Sequence, residues 1–82
     1  MVKTLHLRDY NDVFYVGQYF RDGAAVVMDL TSLADADATP LVDFASGLVL
    51  GLGGDLEKVT AGVFLLRPEG MAAPEYPREV PA

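Results

Sequence analysis

Three aspartates, Asp35, Asp37 and Asp43, stand close together and invite a cation-site reading. Calcium loops take oxygen ligands at alternating positions and close with a bidentate glutamate. This segment has neither the spacing nor the glutamate, so helix capping and solvation account for it better. His6 is the single histidine. No second histidine, serine or cysteine stands near it, which favours a structural role over catalysis. Gly51-x-Gly53-Gly54 resembles a phosphate loop in its glycines. Phosphate loops open a helix and carry a Gly-Lys-Ser/Thr signature, whereas these glycines follow an apolar run and read as a turn. Paired-carboxylate hydrolysis needs a cleft that so short a chain has little room to build. With no cysteine, neither a disulfide framework nor a Cys/His metal set is available. No metal, no cofactor and no enzymatic activity are expected. The side chains with most to offer are aromatic: Phe44, and Phe14, Tyr15 and Tyr19 in the first half. Clustered aromatics are what protein interfaces favour.

These residues belong to an 82-residue chain of net charge −6 with six basic residues. That length makes one small domain with a thin core. Lacking disulfides and metals, such a chain is commonly stabilised by association. Apolar residues make up 51%, enough to argue against intrinsic disorder. The acidic balance argues against nucleic-acid binding and against docking on an anionic membrane. No signal-peptide core is visible near the N-terminus, and the cysteine-free composition fits the cytoplasm. The apolar stretch from Leu41 to Gly54 is too short to span a membrane and carries Asp43.

The elements that must position the aromatics follow from periodicity. Residues 2–7 alternate loosely and read as a strand. Asp9, Asn11 and Asp12 form a helix-start cluster. Residues 11–21 place Val13, Val16, Gly17 and Phe20 on one helical face, and Asp22-Gly23 ends that helix. Residues 24–30 are a continuous apolar run, as in a strand covered on at least one face. A second helix of about three turns is expected from Pro40 to Gly51, with Pro40 in its first turn. Residues 55–59 and 63–66 read as a hairpin turning at Ala61-Gly62. Residues 71–73 are a candidate edge strand. The order is β-α-β-α-β-β: an α/β two-layer sandwich with two helices on a small mixed sheet. Residues 1–69 form the domain, and residues 70–82 are a Pro-rich tail expected to be largely disordered.

The second helix is apolar nearly all round. Leu41, Phe44, Ala45, Leu48 and Leu52 form one face; Val42, Val49 and Leu50, with Ser46, form another. Only the strip with Asp43 and Gly47 is not apolar. A helix lying on a sheet needs one apolar stripe, and no other element is expected to cover the second. Gly47 and Gly51, one turn apart, would let a neighbouring helix approach closely. A homodimer interface is therefore expected at Val42, Ser46, Gly47, Val49, Leu50 and Gly54. In the first helix, Tyr15 and Tyr19 lie off the core face, one turn apart, and are candidates for a partner surface.

Taken together, the residues resemble the globular C-terminal domain of SepF, a bacterial and archaeal cell-division protein. The resemblance is carried by Tyr10, Val13, Val16 and Phe20, by Ala25-Val26-Val27 and Leu30, by Val42-Asp43-Phe44 with Ser46-Gly47, by Gly54, and by Val63-Phe64-Leu65 with Pro68. It implies a homodimeric α/β sandwich acting as an adaptor, without enzymatic activity, at the cytoplasmic division site. It also implies binding of the C-terminal peptide of the tubulin-like protein FtsZ, with Asp43, Phe44 and Leu48 as candidate contacts beside Tyr15 and Tyr19. Family members anchor to membranes through an N-terminal amphipathic helix and linker. The present residues include neither, so no direct membrane contact is expected from this segment. The chain departs from the family where a basic pair usually precedes the Val-Asp-Phe motif; here Ala38 is followed by Thr39-Pro40. That loss weakens the Coulombic attraction for a partly acidic peptide. It raises a second expectation, a SepF-like paralogue that binds SepF or another division protein.

Overall fold

The computed structural model describes residues 1–70. Four strands, β1 (Val2–His6), β2 (Ala25–Asp29), β3 (Asp55–Thr60) and β4 (Val63–Arg67), form one sheet in the order β1-β2-β4-β3. Two helices, α1 (Val13–Arg21) and α2 (Asp35–Leu52), complete the layer above it. The β-α-β-α-β-β order and the mixed sheet are as expected. The expected edge strand at residues 71–73 and nearly all of the Pro-rich segment lie outside the described residues.

Connectivity explains the strand order. β1 and β2 pair in parallel through the α1 crossover. α2 then carries the chain past the neighbouring strand position to the far edge, where β3 runs. The tight turn at Ala61-Gly62 returns β4 into the gap, antiparallel to both β2 and β3. Gly62 has φ +78° there, a left-handed conformation that glycine adopts without steric penalty. Its carbonyl accepts the Leu30 N–H at 2.7 Å, tying the end of β2 to the hairpin turn.

Side chains alternate across the strands. Val26, Met28 and Leu66 point to the helix layer and are fully buried with Val16, Phe20, Leu41 and Ala45. Val27, Val63 and Leu65 point to the other face, which no described element covers, and all three are half-buried. The unbroken apolar runs of β2 and β4 thus supply two apolar faces, only one of them used as core.

Local capping positions the first helix. Asp9 accepts the Asn11 N–H at 2.8 Å and Asp12 accepts the Arg8 N–H at 2.9 Å. The chain makes one 3-10 turn at Tyr10–Asp12 before α1 begins. α2 differs from expectation at its start. It begins at Asp35, and Pro40 lies inside it instead of in its first turn. The Ala-rich segment favours helix, and Asp35 and Asp37 in the first turn complement the helix dipole. Pro40 lacks the N–H that the Ala36 carbonyl would receive, but both residues are exposed, so water can serve that carbonyl.

Burial around α2 divides its apolar residues among three surroundings. Leu41 and Ala45 face the sheet. Val42 and Val49 are half-buried and pack against the core, on a helix that also contacts β3. Phe44 and Leu48 turn toward α1. The outward strip is Pro40, Asp43, Gly47 and Leu50, and Leu50 is 86% exposed. The hairpin supplies cover that the helical wheel alone does not reveal.

Candidate functional site

The aromatic residue singled out in the sequence, Phe44, sits where the two helices meet. A β-carbon built on Gly17 would lie 3.5 Å from the Phe44 Cζ, so the ring rests against the bare backbone of α1. Glycine at this position of a helical face removes the side chain that would otherwise separate the helices. The result is a groove of about 460 Å³. Val13, Phe14, Gly17, Gln18 and Arg21 of α1 form one wall; Phe44, Leu48 and Leu52 of α2 form the other; Tyr10 and Asn11 close one end. Val13 is buried at its base, while Phe14 and Tyr10 are 66% and 54% exposed at its rim. The lining is mainly apolar, and its single formal charge is Arg21.

The sequence-derived partner residues divide. Phe44 and Leu48 line this groove together. Asp43 is on the outward strip of α2, exposed, and borders a different hollow with Asp35, Lys58 and Phe64. Tyr15 is 51% exposed and meets Phe14 edge-to-face, with ring centroids 5.6 Å apart. Tyr19 is half-buried against the core, and the Lys3 ammonium lies 5.1 Å from its ring centroid. The structure therefore pairs Tyr15 with Phe14 and gives Tyr19 a packing role between α1 and β1.

The residues expected at a dimer interface also divide. Gly47 and Leu50 stand on the open strip, and a β-carbon on Gly47 would meet nothing within 4 Å. The Ser46 hydroxyl donates back to the Val42 carbonyl at 3.0 Å. Val42 and Val49 pack inward, as above. Gly54 has φ +112°, and a β-carbon there would overlap the Arg67 carbonyl. Its glycine is explained by the turn into β3, whatever else this segment contacts.

The ion pairs of the described residues lie on the open sheet face. His6 Nδ1 lies 2.9 Å from Asp29 Oδ2 on the open sheet face. Asp29 also accepts the Thr31 hydroxyl at 2.6 Å and the Thr31 N–H at 2.9 Å. The Thr31 hydroxyl bond, then its N–H bond, do most to hold the Asp29 carboxyl below the usual range, with His6 adding to them. On the same face Arg67 reaches Asp55 at 2.9 Å and Glu57 at 3.0 Å. The Glu57 bond is the largest cause holding its guanidinium above its ordinary pKa. Among the described residues there is no acidic or histidine cluster able to hold a metal ion. No described helix is long and apolar enough to cross a membrane.

Two features escaped the sequence reading. The α1 wall of the groove was concealed because Gly17 counts as part of a core face; the available signal was a glycine inside an otherwise apolar stripe. The open sheet face was signalled by the two unbroken apolar runs, which alternate in direction even though they do not alternate in polarity.

Comparison with known proteins adds an independent line. The model of the family "Cell division protein SepF" matches residues 2–72. The chain is 54% identical over 74 residues to the cell division protein SepF of Frankia casuarinae, covering 90% of this chain and 41% of that protein. It is 52% identical over 67 residues to the cell division protein SepF of Thermobifida fusca, covering 82% and 39%. The chain thus spans about two fifths of the length of these curated relatives. Its fold is similar to a SepF-like protein from Archaeoglobus fulgidus, with a TM-score of 0.80 at 16% identity over 94% of this chain and 96% of that one.

Proposed function

The chain belongs to the SepF family of cell-division proteins, and from that premise we propose that it is a non-enzymatic, homodimeric adaptor that binds the C-terminal peptide of FtsZ in the α1–α2 groove. The observation that carries the reading is the groove itself. It is an apolar slot between two helices, with the motif aromatic Phe44 resting on Gly17 and rims formed by exposed Phe14 and Tyr10. Concave apolar grooves with aromatic walls suit short peptide segments. Phe44 and Leu48 would supply the apolar contacts, with Tyr15 flanking the rim through Phe14, while Asp43 stands outside the groove on the outward strip of α2. Acting there, the protein would organise the division ring at the cytoplasmic face of the septum.

Self-association is proposed through the outward strip of α2. Leu50 is an almost fully exposed leucine beside Gly47, whose missing side chain permits close approach of a second helix. Val42, Ser46 and Val49 would support that strip from within.

Thr39-Pro40, on the exposed side of α2 in place of a basic pair, favours a second reading. In it the fold is kept but the partner is SepF itself or another division protein, held through the Tyr15/Tyr19 face of α1. Titrating a labelled FtsZ C-terminal peptide, with the mass of the complex measured in the same sample, separates the two. Micromolar binding to a dimer supports FtsZ as partner. A dimer that ignores the peptide moves the assignment to the second reading.

A further inference from the structure

The groove is electrostatically unlike the rest of the surface. In a chain with twelve acidic residues, no described acid lines it, and its one charged lining residue is the basic Arg21. The other described basic groups have company elsewhere. Arg67 is held by Asp55 and Glu57, Lys3 lies over the Tyr19 ring, Lys58 shares a hollow with Asp35 and Asp43, and Arg8 shares one with Asp9 and Asp37. No carboxylate among the described residues lies within ion-pair distance of Arg21. Glu69 borders the adjoining hollow that Arg21 also lines, and Asp22 follows Arg21 in the chain.

Spacing makes this specific. Gly17, where the Phe44 ring rests, and Arg21 are one helical turn apart, about 6 Å along the axis. In an extended peptide, residues two apart point the same way and are separated by about 6.6 Å. We infer that the groove selects an extended peptide carrying an acidic residue two positions from an apolar anchor, the anchor seated against Phe44 and Gly17 and the carboxylate received by the Arg21 guanidinium. This rests on the peptide-groove reading above and adds the determinant of selectivity. Arg21 supplies, from the opposite helix, positive charge that α2 does not carry at Ala38-Thr39-Pro40.

The test uses the whole chain, the FtsZ C-terminal peptide, and the same peptide with its acidic residues replaced by the matching amides. Arg21 is exposed in the last turn of α1, so Arg21→Gln leaves the fold intact. The expected result is an affinity about tenfold lower for Arg21→Gln, with a flatter salt dependence. Wild type and variant should bind the amide peptide equally, which is the coupling signature of a direct pair. Arg8→Gln should change affinity by less than about twofold. An Arg21→Gln chain that binds the acidic peptide like wild type overturns the inference and leaves the groove reading standing. If wild type ignores the FtsZ peptide, that partner is wrong, and a display library of random short peptides selected on wild type decides the inference. Enrichment of apolar-x-acidic triplets that is lost on Arg21→Gln supports it; selection without that enrichment overturns it.

Discussion

The tip of the Phe44 ring faces Gly17, with its Cζ only 3.5 Å from where a β-carbon on Gly17 would stand. That separation is an ordinary van der Waals contact, so one methyl group fits against the ring and a larger side chain must extend into the open groove. Gly17→Ala should therefore stabilise the domain by about 0.5–1 kcal/mol, through helix propensity and a less flexible unfolded chain. Gly17→Leu should fill the groove and abolish peptide binding while the chain stays folded. Thermal melts and a peptide titration on both variants check this; a Gly17→Leu chain with full affinity would place the site elsewhere.

Phe44→Ala should lower affinity for the FtsZ peptide by about tenfold or more, as expected for a central aromatic anchor. The ring is half-buried, so the stability lost should be modest, about 1–2 kcal/mol. Circular dichroism on the same sample separates lost binding from lost fold. Retained affinity would count against Phe44 as a contact.

Much of the architecture is legible before any coordinates. The helix-start cluster at Asp9, Asn11 and Asp12, the core stripe Val13-Val16-Phe20 and the Ala61-Gly62 hairpin all carry local signals, and local signals are what a sequence exposes. The start of α2 is not legible in this way, because Pro40 reads as a helix opener. An exposed proline in the second turn is tolerated when its orphaned carbonyl faces water. The cover over Val42 and Val49 is illegible for a different reason: it depends on which side of α2 the hairpin folds, a tertiary fact. The same limit divides the site. Phe44 and Leu48 can be picked from α2 alone, but Val13, Gly17 and Arg21 join them only once α1 is docked.

Gly54→Ala should be strongly destabilising, by about 2 kcal/mol or more. The positive φ disfavours any β-carbon, and the Arg67 carbonyl occupies its place. A melt shows the loss directly. If this variant also loses its dimer, the cause is the damaged turn; an unchanged melting temperature would refute the turn argument.

Leu50→Glu tests the association surface. Leu50 is 86% exposed, so the substitution should leave monomer stability within about 0.5 kcal/mol. Replacing the one large apolar side chain of this strip by a second negative charge beside Asp43 should convert the dimer to a monomer by light scattering. Leu65→Glu, on the open sheet face, should leave the dimer in place. The opposite pattern would move the interface from α2 to the sheet.

The hydrogen bonds from Thr31 to Asp29 predict an acid-side stability effect. Asp29 has a folded-state pKa below its unfolded value of about 3.9. Its contribution is therefore fully present above that value and lost as pH falls through the lower folded-state pKa. Stability should fall less steeply below about pH 4 in Asp29→Asn than in wild type. Parallel slopes in urea melts from pH 5 to pH 2 would contradict the assignment.

The most direct test of the central claim is a map of backbone amide shifts in the isotope-labelled chain as the FtsZ C-terminal peptide is added. The account predicts saturable shifts confined to residues 10–21 and to the Phe44–Leu52 stretch of α2, with β2 and β4 residues such as Val27 and Leu65 unmoved. Shifts centred on the open sheet face, or none along α1, would contradict it.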